Sequence, residues 1–573
     1  MKNLGSTQTF ETCSSMLTDV FKGRNALFPF LISLFALALF LSFLGRVNLF
    51  DWDEVNFAES AREMIVSGDY LTVHINYQPF WEKPPLFIWM QVLSMQLFGI
   101  NEFAARFPNA IAGICTIFLL WFAGRRIFST RFAILWIALY LGSMLPFFYF
   151  RSGIIDPWFN LFIISGVLFL IFFHERRKGE TGITILCFSA LSIGLAILTK
   201  GPVAVLILIL TFIIWLAFNK FRLNASIWHV VLYFSLVALT GGFWFLLQIA
   251  NGNMDLVLEF IRYQIRLFST QDAGHGGFFL YHVVVLLFGV FPASVLAIPV
   301  LLGEPEADSS LQKQSFLWMQ ILFWVVLVLF SIVKTKIVHY SSLCYFPLTF
   351  LAACYVNSLI EDKRKYPHWQ HTWLWIQSLI LSFIPALAML LIKNRFRLLA
   401  MGWIKDQFAE ENLQANVTFS GIEWVGGAVL LACAAWALLH LKTRKYLRGT
   451  MLLLSGTLAF TWFSMTFFTS RIEAFSQKAA IDFYKSKQKE KCLVMTLGFK
   501  SYANLFYAAR MPRESSLATF GEDLYKGKAG IPVYAVTKIN KKEKYLKLYP
   551  LLRVLYEKNG FVFMQVVSQD SID

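Results

Sequence analysis

Charged side chains are scarce in this chain. They make up 15% of its 573 residues, against about 25% in a soluble globular protein. The deficit excludes an ordinary water-soluble fold, because 57% of the residues are hydrophobic and too few polar neighbours exist to cover them. Cysteine is scarce as well. Cys13, Cys115, Cys187, Cys344, Cys354, Cys433 and Cys492 show no paired spacing and no metal-ligand pattern, which argues against a disulfide framework and a zinc module; most read as small apolar fillers. Phosphate-binding glycine motifs are missing too: there is no G-x-x-x-x-G-K-[ST], and no G-x-G-x-x-G follows a strand. No nucleotide cofactor is therefore expected. No internal repeat stands out, which disfavours the inverted-repeat transporter folds.

What the chain does contain is long apolar runs of about 17–24 residues, enough to cross roughly 30 Å of hydrocarbon as a helix. About thirteen are expected, at 26–44, 107–123, 132–149, 157–173, 183–199, 203–218, 228–249, 279–302, 315–333, 337–360, 373–392, 424–441 and 450–468. The first has no cleavage site behind it and is too long for a signal core, so it reads as an anchor. The formal charge of +16 sits in short loops and a tail, which suits an anionic membrane surface and not nucleic acid. Alternating the spans from an inner N-terminus puts Arg125, Arg126, Arg131, then Arg176, Arg177, Lys178, then Lys363, Arg364, Lys365, and finally Lys442, Arg444, Lys445, Arg448 in the cytoplasm, as the positive-inside rule requires. The same alternation places Asp53, Lys83, Asp156, Lys200, His275 and Lys336 on the outer side. Six charged or titratable residues from five outer loops at one membrane face predict one site.

Two segments lie outside the spans. In the outer loop, about 45–106, Val55, Ala58, Met64 and Ile65 recur at helical spacing, predicting an amphipathic helix along the interface over Glu54–Val66. Ser67-Gly68-Asp69 ends it, and a second interfacial helix is expected over Pro84–Gly99. Beyond 470, strand-like runs (Cys492–Leu497, Ile531–Thr537, Phe561–Val567) alternate with helical ones (Ser501–Arg510, Leu546–Glu557). The expected architecture is an α-helical polytopic membrane part, 1–469, followed by a small soluble α/β domain, 470–573.

Several clusters carry chemistry. Asp53 and Glu54 follow a membrane helix directly, so they stand at headgroup height; they read as a base or sugar-orienting anion, or else Asp51 and Asp53 merely cap the helix starting near Glu54. Lys83, between Glu82 and two prolines, presents a point charge suited to a phosphate, the alternative being a snorkelling lysine. Asp156, in Arg151-Ser152-Gly153-Ile154-Ile155-Asp156-Pro157, stands at an outer junction and either serves the site or starts the next helix. Lys200, in Thr199-Lys200-Gly201-Pro202, and Lys336, in Lys334-Thr335-Lys336 before His339-Tyr340, mark the interface or meet an anion. Glycines around His275 let backbone approach a ligand, and His275 with Glu82 is a two-ligand candidate for a divalent cation, Zn or Mg/Mn.

Asp53-Glu54, Phe57-Ala58-Glu59-Ser60-Ala61-Arg62-Glu63-Met64, Ser67-Gly68-Asp69, Glu82-Lys83-Pro84-Pro85, Asn101-Glu102-Phe103-Ala104-Ala105-Arg106 and Asp156-Pro157 resemble the lipid A 4-amino-4-deoxy-L-arabinose transferases and the wider dolichyl-phosphate-mannose protein mannosyltransferase-like group. Thr199–Pro202, Gly274-His275 and Lys336–Tyr340 fit later landmarks, and the likeness spans roughly 26–350. The resemblance implies a GT-C fold and an inverting glycosyltransferase at the periplasmic face of a bacterial inner membrane. It implies a polyprenyl-phosphate-linked sugar as donor and a lipid A, glycolipid, glycan or protein acceptor. It suggests Asp53 and Asp156 as the acids around the reacting sugar, and Lys83 with Lys200 or Arg266 around the donor phosphate; Glu54 beside Asp53 is a further catalytic candidate, and Lys336 and Tyr340 are further candidates for the phosphate. It also suggests Glu82 and His275 as metal ligands, and a single chain acting among membrane lipids. One departure stands out: where the arabinose transferases have Asp-Glu-Thr-Arg, this chain has Asp53-Glu54-Val55-Asn56. Two other classes stay open on sequence, a lipid-linked sugar flippase or transporter and an oligosaccharide ligase using diphosphate-linked donors.

Overall fold

The computed structural model describes residues 27–176, 182–269, 276–304, 306–402, 404–518, 521–526 and 529–567. Among these, nine helices are long and apolar enough to cross a membrane: Glu102–Ile127, Asp156–His174, Ile183–Lys200, Ile227–Ala250, Ser310–Ile332, Val338–Ile360, His368–Lys393, Val425–Lys442 and Tyr446–Glu473. The shorter apolar helices Leu27–Leu41, Thr130–Leu141 and Val203–Phe218 fall on three further expected runs. The expected span 279–302 is not one rod. It is the pair Tyr281–Gly289 and Ala293–Val300, bent by 107°, with Pro292 at the break, where a missing N–H and a bulky ring stop a helix.

The two ends of the bundle differ as the loop charges predict. Arg131 pairs with Glu361 at 2.5 Å, joining the 124–131 and 361–369 loops at one end. The acids and lysines of the other set gather at the opposite end.

That end is built by the 45–106 loop. The helix expected over Glu54–Val66 runs Asp53–Ser67 and stops at Gly68, whose φ of 74° and N–H bond to Met64 O form a left-handed cap that glycine adopts without strain. It does not lie on the interface with a wet face. Every residue from Glu54 to Met64 is buried, because other parts of the chain close over its polar side. The second helix runs Leu86–Phe98. Between them sits a hairpin of β1 (His74–Ile75) and β2 (Gln78–Pro79). Its turn residues Asn76 and Tyr77 have φ of 57° and 55°, as a two-residue hairpin turn demands. Neither is glycine, so the turn needs outside support. The Glu63 carboxyl supplies it, accepting from the N–H of Asn76 (2.7 Å) and of Tyr77 (2.8 Å).

Burial, reinforced by neighbouring Glu59, pushes the Glu63 carboxyl up to about 9. A carboxyl with a raised folded-state value binds its proton more tightly when folded. Its contribution is therefore complete below the unfolded value near 4.5 and fades as pH rises towards 9. Thermal midpoints in detergent should fall across that window, and Glu63→Gln, which mimics the protonated acid, should flatten the fall. An unchanged slope in the variant would remove Glu63 from this role.

The segment beyond 470 carries a mixed sheet in the order β3-β4-β6-β5: β3 (Leu493–Leu497), β4 (Val533–Lys538), β5 (Leu552–Lys558) and β6 (Phe561–Val566). β3 and β4 are parallel and the rest antiparallel. The expected helix at Leu546–Glu557 is corrected here. A helix occupies only Lys542–Leu548, and Leu552–Lys558 pairs with β6 through the turn Asn559-Gly560, both at positive φ. Asn-Gly is the strongest short hairpin signal there is. The helix expected at Ser501–Arg510 shrinks to Ala503–Phe506.

This segment is sewn to the 45–106 loop. Tyr507 Oη accepts from Leu49 N at 2.6 Å. Lys485 reaches Asn48 Oδ1 at 2.7 Å and Glu102 at 3.0 Å. Arg510 Nη1 donates to Asn76 Oδ1 at 2.8 Å, and Arg62, clamped by Glu59, donates to Arg510 O at 2.7 Å.

Candidate active site

Asp53 and Glu54 open the helix Asp53–Ser67, where the N-terminal partial charge favours anions. Their fates differ. Glu54 accepts from Arg106 Nε (2.9 Å) and Nη2 (2.7 Å), from Phe50 N (2.9 Å) and from Gly153 N (2.6 Å). Burial alone would push its carboxyl up, but Arg106 and the two backbone donors outweigh that and hold it below the usual range. With its oxygens committed, Glu54 has no capacity to take a proton or meet a sugar, and its expected catalytic role is corrected on that ground. Arg106 spends its remaining donors on the carbonyls of Leu44, Val47 and Asn48. Asp51 does not cap the helix either: the capping position is Trp52, and Asp51 accepts from Tyr502 N at 3.3 Å.

Fixing Glu54 aims its neighbour. The Asp53 carboxylate lies 3.3 Å from His339 Nε2, and the same nitrogen lies 3.8 Å from Asp156 Oδ2. Asp156 Oδ1 accepts from Lys200 Nζ at 2.6 Å, while Oδ2 has no hydrogen-bond partner among the described residues. Asp53 keeps 28% of its side-chain surface exposed and Asp156 only 3%, so of the two Asp53 is open to an incoming molecule. Gly153-Ile154 orients Asp156, because Asn109 grips the carbonyls of Ser152 and Ile154 at 2.7 Å each.

The cations stand beside this pair. Lys200 Nζ lies 5.1 Å above the ring of Tyr340, and Lys83 Nζ 5.3 Å from the ring of Tyr263. Lys83, Lys200 and Tyr340 line one small cavity of about 60 Å³ with Gln264 and Phe330. Arg266 also lies over the Tyr263 ring, 5.3 Å from its centre.

Lys336 does not join them. Its ammonium donates to the carbonyls of Phe330 (2.9 Å), Ser331 (2.6 Å) and Val333 (2.6 Å), ending the helix Ser310–Ile332, whose last carbonyls favour a cation. All three donors are used, so its expected phosphate contact is corrected to a structural one.

Glu82 accepts from Tyr263 Oη at 3.2 Å, and His275 lies outside the described residues. No group of three His, Cys, Asp or Glu side chains comes together as a metal site among the described residues.

Two participants escaped the sequence reading: His339 and Tyr263. His339 stood inside a quoted motif, but the alternation of spans singled out its lysine neighbour instead. Tyr263 had no local signal.

A sequence profile of the family described as dolichyl-phosphate-mannose-protein mannosyltransferase matches residues 82–244. Among curated proteins, the undecaprenyl phosphate-alpha-4-amino-4-deoxy-L-arabinose arabinosyl transferase of Edwardsiella ictaluri is 29% identical over 343 residues, covering 58% of this chain and 60% of that protein. Its counterpart from Yersinia enterocolitica is 25% identical over 416 residues, 70% of this chain and 71% of that one. The matched region thus spans about 60% of the Edwardsiella relative's length. Among solved structures, ArnT from Cupriavidus metallidurans bound to undecaprenyl phosphate superposes with a TM-score of 0.73 at 19% identity, covering 96% of this chain and 99% of that one. The Archaeoglobus fulgidus oligosaccharyltransferase gives 0.52 at 12% identity, covering 92% and 71%. The chain therefore has the expected GT-C fold, and the resemblance read from its residues to ArnT-like transferases holds.

Proposed function

We propose that this chain is an inverting glycosyltransferase that moves a sugar from a polyprenyl phosphate to a membrane-bound acceptor at the periplasmic face. The observation that carries the proposal is the juxtaposition of an open carboxylate, Asp53, with a buried one, Asp156, across His339 and beside Lys200. The curated relatives' donor, undecaprenyl phosphate-linked aminoarabinose, is the model for the substrate class.

The transfer is a single displacement. The acceptor oxygen bonds to the anomeric carbon as the bond from that carbon to the phosphate oxygen breaks. The electron pair leaves with the polyprenyl phosphate, whose charge Lys83 and Lys200 neutralise. Phosphate is already a good leaving group and needs no acid. The hydroxyl proton passes to Asp53. Asp156, pinned by Lys200, offers its unpartnered oxygen to a hydroxyl or amine of the donor sugar. No step is routed through a metal ion or a nucleotide. Residues 1–469 form the catalytic membrane domain in this reading, and 470–573 a periplasmic domain that covers the catalytic loop, as the hydrogen bonds from Tyr507 and Arg510 support.

The experiment is to supply the purified full chain with undecaprenyl phosphate-linked aminoarabinose and measure free undecaprenyl phosphate with and without lipid A. Release that depends on acceptor supports transfer; no release in either condition favours a transporter or a diphosphate-dependent ligase. The lysines give an internal contrast. Lys83→Ala should weaken undecaprenyl phosphate binding about tenfold or more, the worth of one charge-assisted contact of about 1.5 kcal/mol. Lys336→Gln should lower the thermal midpoint and leave that affinity within about twofold. Equal losses in both variants would put Lys336 back at the phosphate.

A further inference from the structure

The end of the bundle opposite Asp53 and Asp156 carries two clefts that share Arg364 as a wall, and they handle charge differently. The first, of about 490 Å³, is lined by Arg131, Lys363 and Arg364 together with Glu306, Asp308 and Glu361. Each of its cations is paired. Arg131 meets Glu361 at 2.5 Å, Lys363 meets Glu361 at 3.1 Å and Asp308 at 3.2 Å, and Arg364 meets Glu306 at 2.8 Å. The second, of about 460 Å³, lies between the turns 361–367 and 443–445. Lys365, Lys442 and Arg444 line it beside Arg364, and the one acid on its described wall is Asp362. Lys365, Lys442 and Arg444 have no ion-pair partner among the described residues.

The positive-inside rule explains why both clefts are basic. It does not explain why acids neutralise the first and leave the second with three unpaired cations against one carboxylate. Like charges around a shared hollow repel one another and draw in an anion. Tyr366 adds a neutral donor. Its ring lies 6.2 Å from those of His371 and Tyr446, and its buried hydroxyl has no hydrogen-bond partner among the described residues.

The surroundings select the kind of anion. Trp369 and Trp373, in the first two turns of the helix His368–Lys393, and Trp436, less than two turns before Lys442, are all exposed. Exposed tryptophan settles at the level of lipid headgroups. Below the first two, Ile376, Ile380, Phe383 and Leu387 continue the same exposed helix face, at the spacing of a single stripe. A free phosphate would meet the cations and leave that stripe unused; a lipid uses both.

We infer that this cleft binds an anionic phospholipid of the leaflet opposite the candidate active site. The phosphate lies among Lys365, Lys442 and Arg444, Arg444 offering its planar fork and the lysines point charges. The acyl chains run along the stripe from Trp369 to Leu387. The inference needs only a membrane-spanning chain and stands apart from the glycosyltransferase reading, since no residue of the cleft belongs to the candidate active site.

The test is native mass spectrometry of the delipidated full chain in detergent. The probes are phosphatidylglycerol and phosphatidylcholine with the same acyl chains, and soluble glycerol 3-phosphate as competitor. Wild type should retain phosphatidylglycerol about tenfold better, the worth of one charge-assisted hydrogen bond. Lys442→Gln combined with Arg444→Gln should abolish the preference. Lys220→Gln combined with Arg222→Gln removes the same charge from the same end of the bundle, beside Asn219 and Gln314, and outside the cleft. That control should keep the preference within about twofold, because exposed charges at a distance are screened. Should the first double variant not fold, Lys365→Gln takes its place and should lower the preference by itself. No preference in wild type, or equal loss in both double variants, overturns the inference, the latter by reducing the cleft to a generally basic surface. Displacement of phosphatidylglycerol by glycerol 3-phosphate overturns it too, by giving the cleft to a soluble phosphate.

Discussion

Asp53→Asn is expected to lower sugar transfer by about 10²–10⁴-fold, the usual contribution of a positioned general base. The chain should still fold and still bind undecaprenyl phosphate. The carboxylate is the open member of the pair, and the amide fills the same space without accepting a proton from a hydroxyl. The loss should appear in kcat, with donor affinity steady, because Lys83 and Lys200, the cations proposed for the donor phosphate, are untouched. The acceptor also matters. A hydroxyl ionises far above neutral pH and needs a base, whereas an acceptor phosphate is already ionised and does not. Full turnover of Asp53→Asn on a phosphate acceptor, with loss on a hydroxyl acceptor, would keep the geometry and change the group that is glycosylated. Full turnover on both would remove Asp53 from the base role.

The second large effect concerns stability. Glu54→Gln leaves Arg106 as an uncompensated charge among buried groups, and breaking a buried pair from one side costs about 3–5 kcal/mol. A collapse of the thermal midpoint, or of folded yield from the membrane, is expected, and undecaprenyl phosphate binding should fall with it. Replacing both partners, as Glu54→Leu with Arg106→Met, rescues some buried ion pairs by removing both charges. Here it should not, because Glu54 also receives the N–H groups of Phe50 and Gly153 and Arg106 holds three carbonyls. The pair pins Leu44–Asn48 and Gly153 together. A Glu54→Gln protein with a wild-type midpoint and no activity would return Glu54 to the chemistry.

The sequence made legible whatever the alternation of spans determines. Asp53, Lys83, Asp156 and Lys200 were assigned to one face because each sits at an odd or even crossing, and the structure brings them together. Partners that come from elsewhere were not legible. Glu54 looks equivalent to Asp53 until Arg106 arrives from another helix. Lys336 looks like Lys200 until its ammonium is seen folding back on the carbonyls of its own preceding helix, a contact with no periodic signature. The same reason explains the helix Asp53–Ser67. Its polar residues predict a wet face, and Glu59, Arg62 and Glu63 are dry only because the hairpin and Arg510 satisfy them. The strand Leu552–Lys558 was missed for a different cause, since its Asn559-Gly560 turn outweighs a run of residues that also suits a helix.

The stitches from Tyr507, Tyr502 and Arg510 to Leu49, Asp51 and Asn76 have a bearing on biosynthesis. Asp51 waits for some 450 later residues before its surroundings close. A nascent or proteolytically clipped polypeptide, already inserted in the bilayer, therefore holds an unfinished outer loop, and on the proposed glycosyl transfer it should not spend activated lipid before its synthesis is complete.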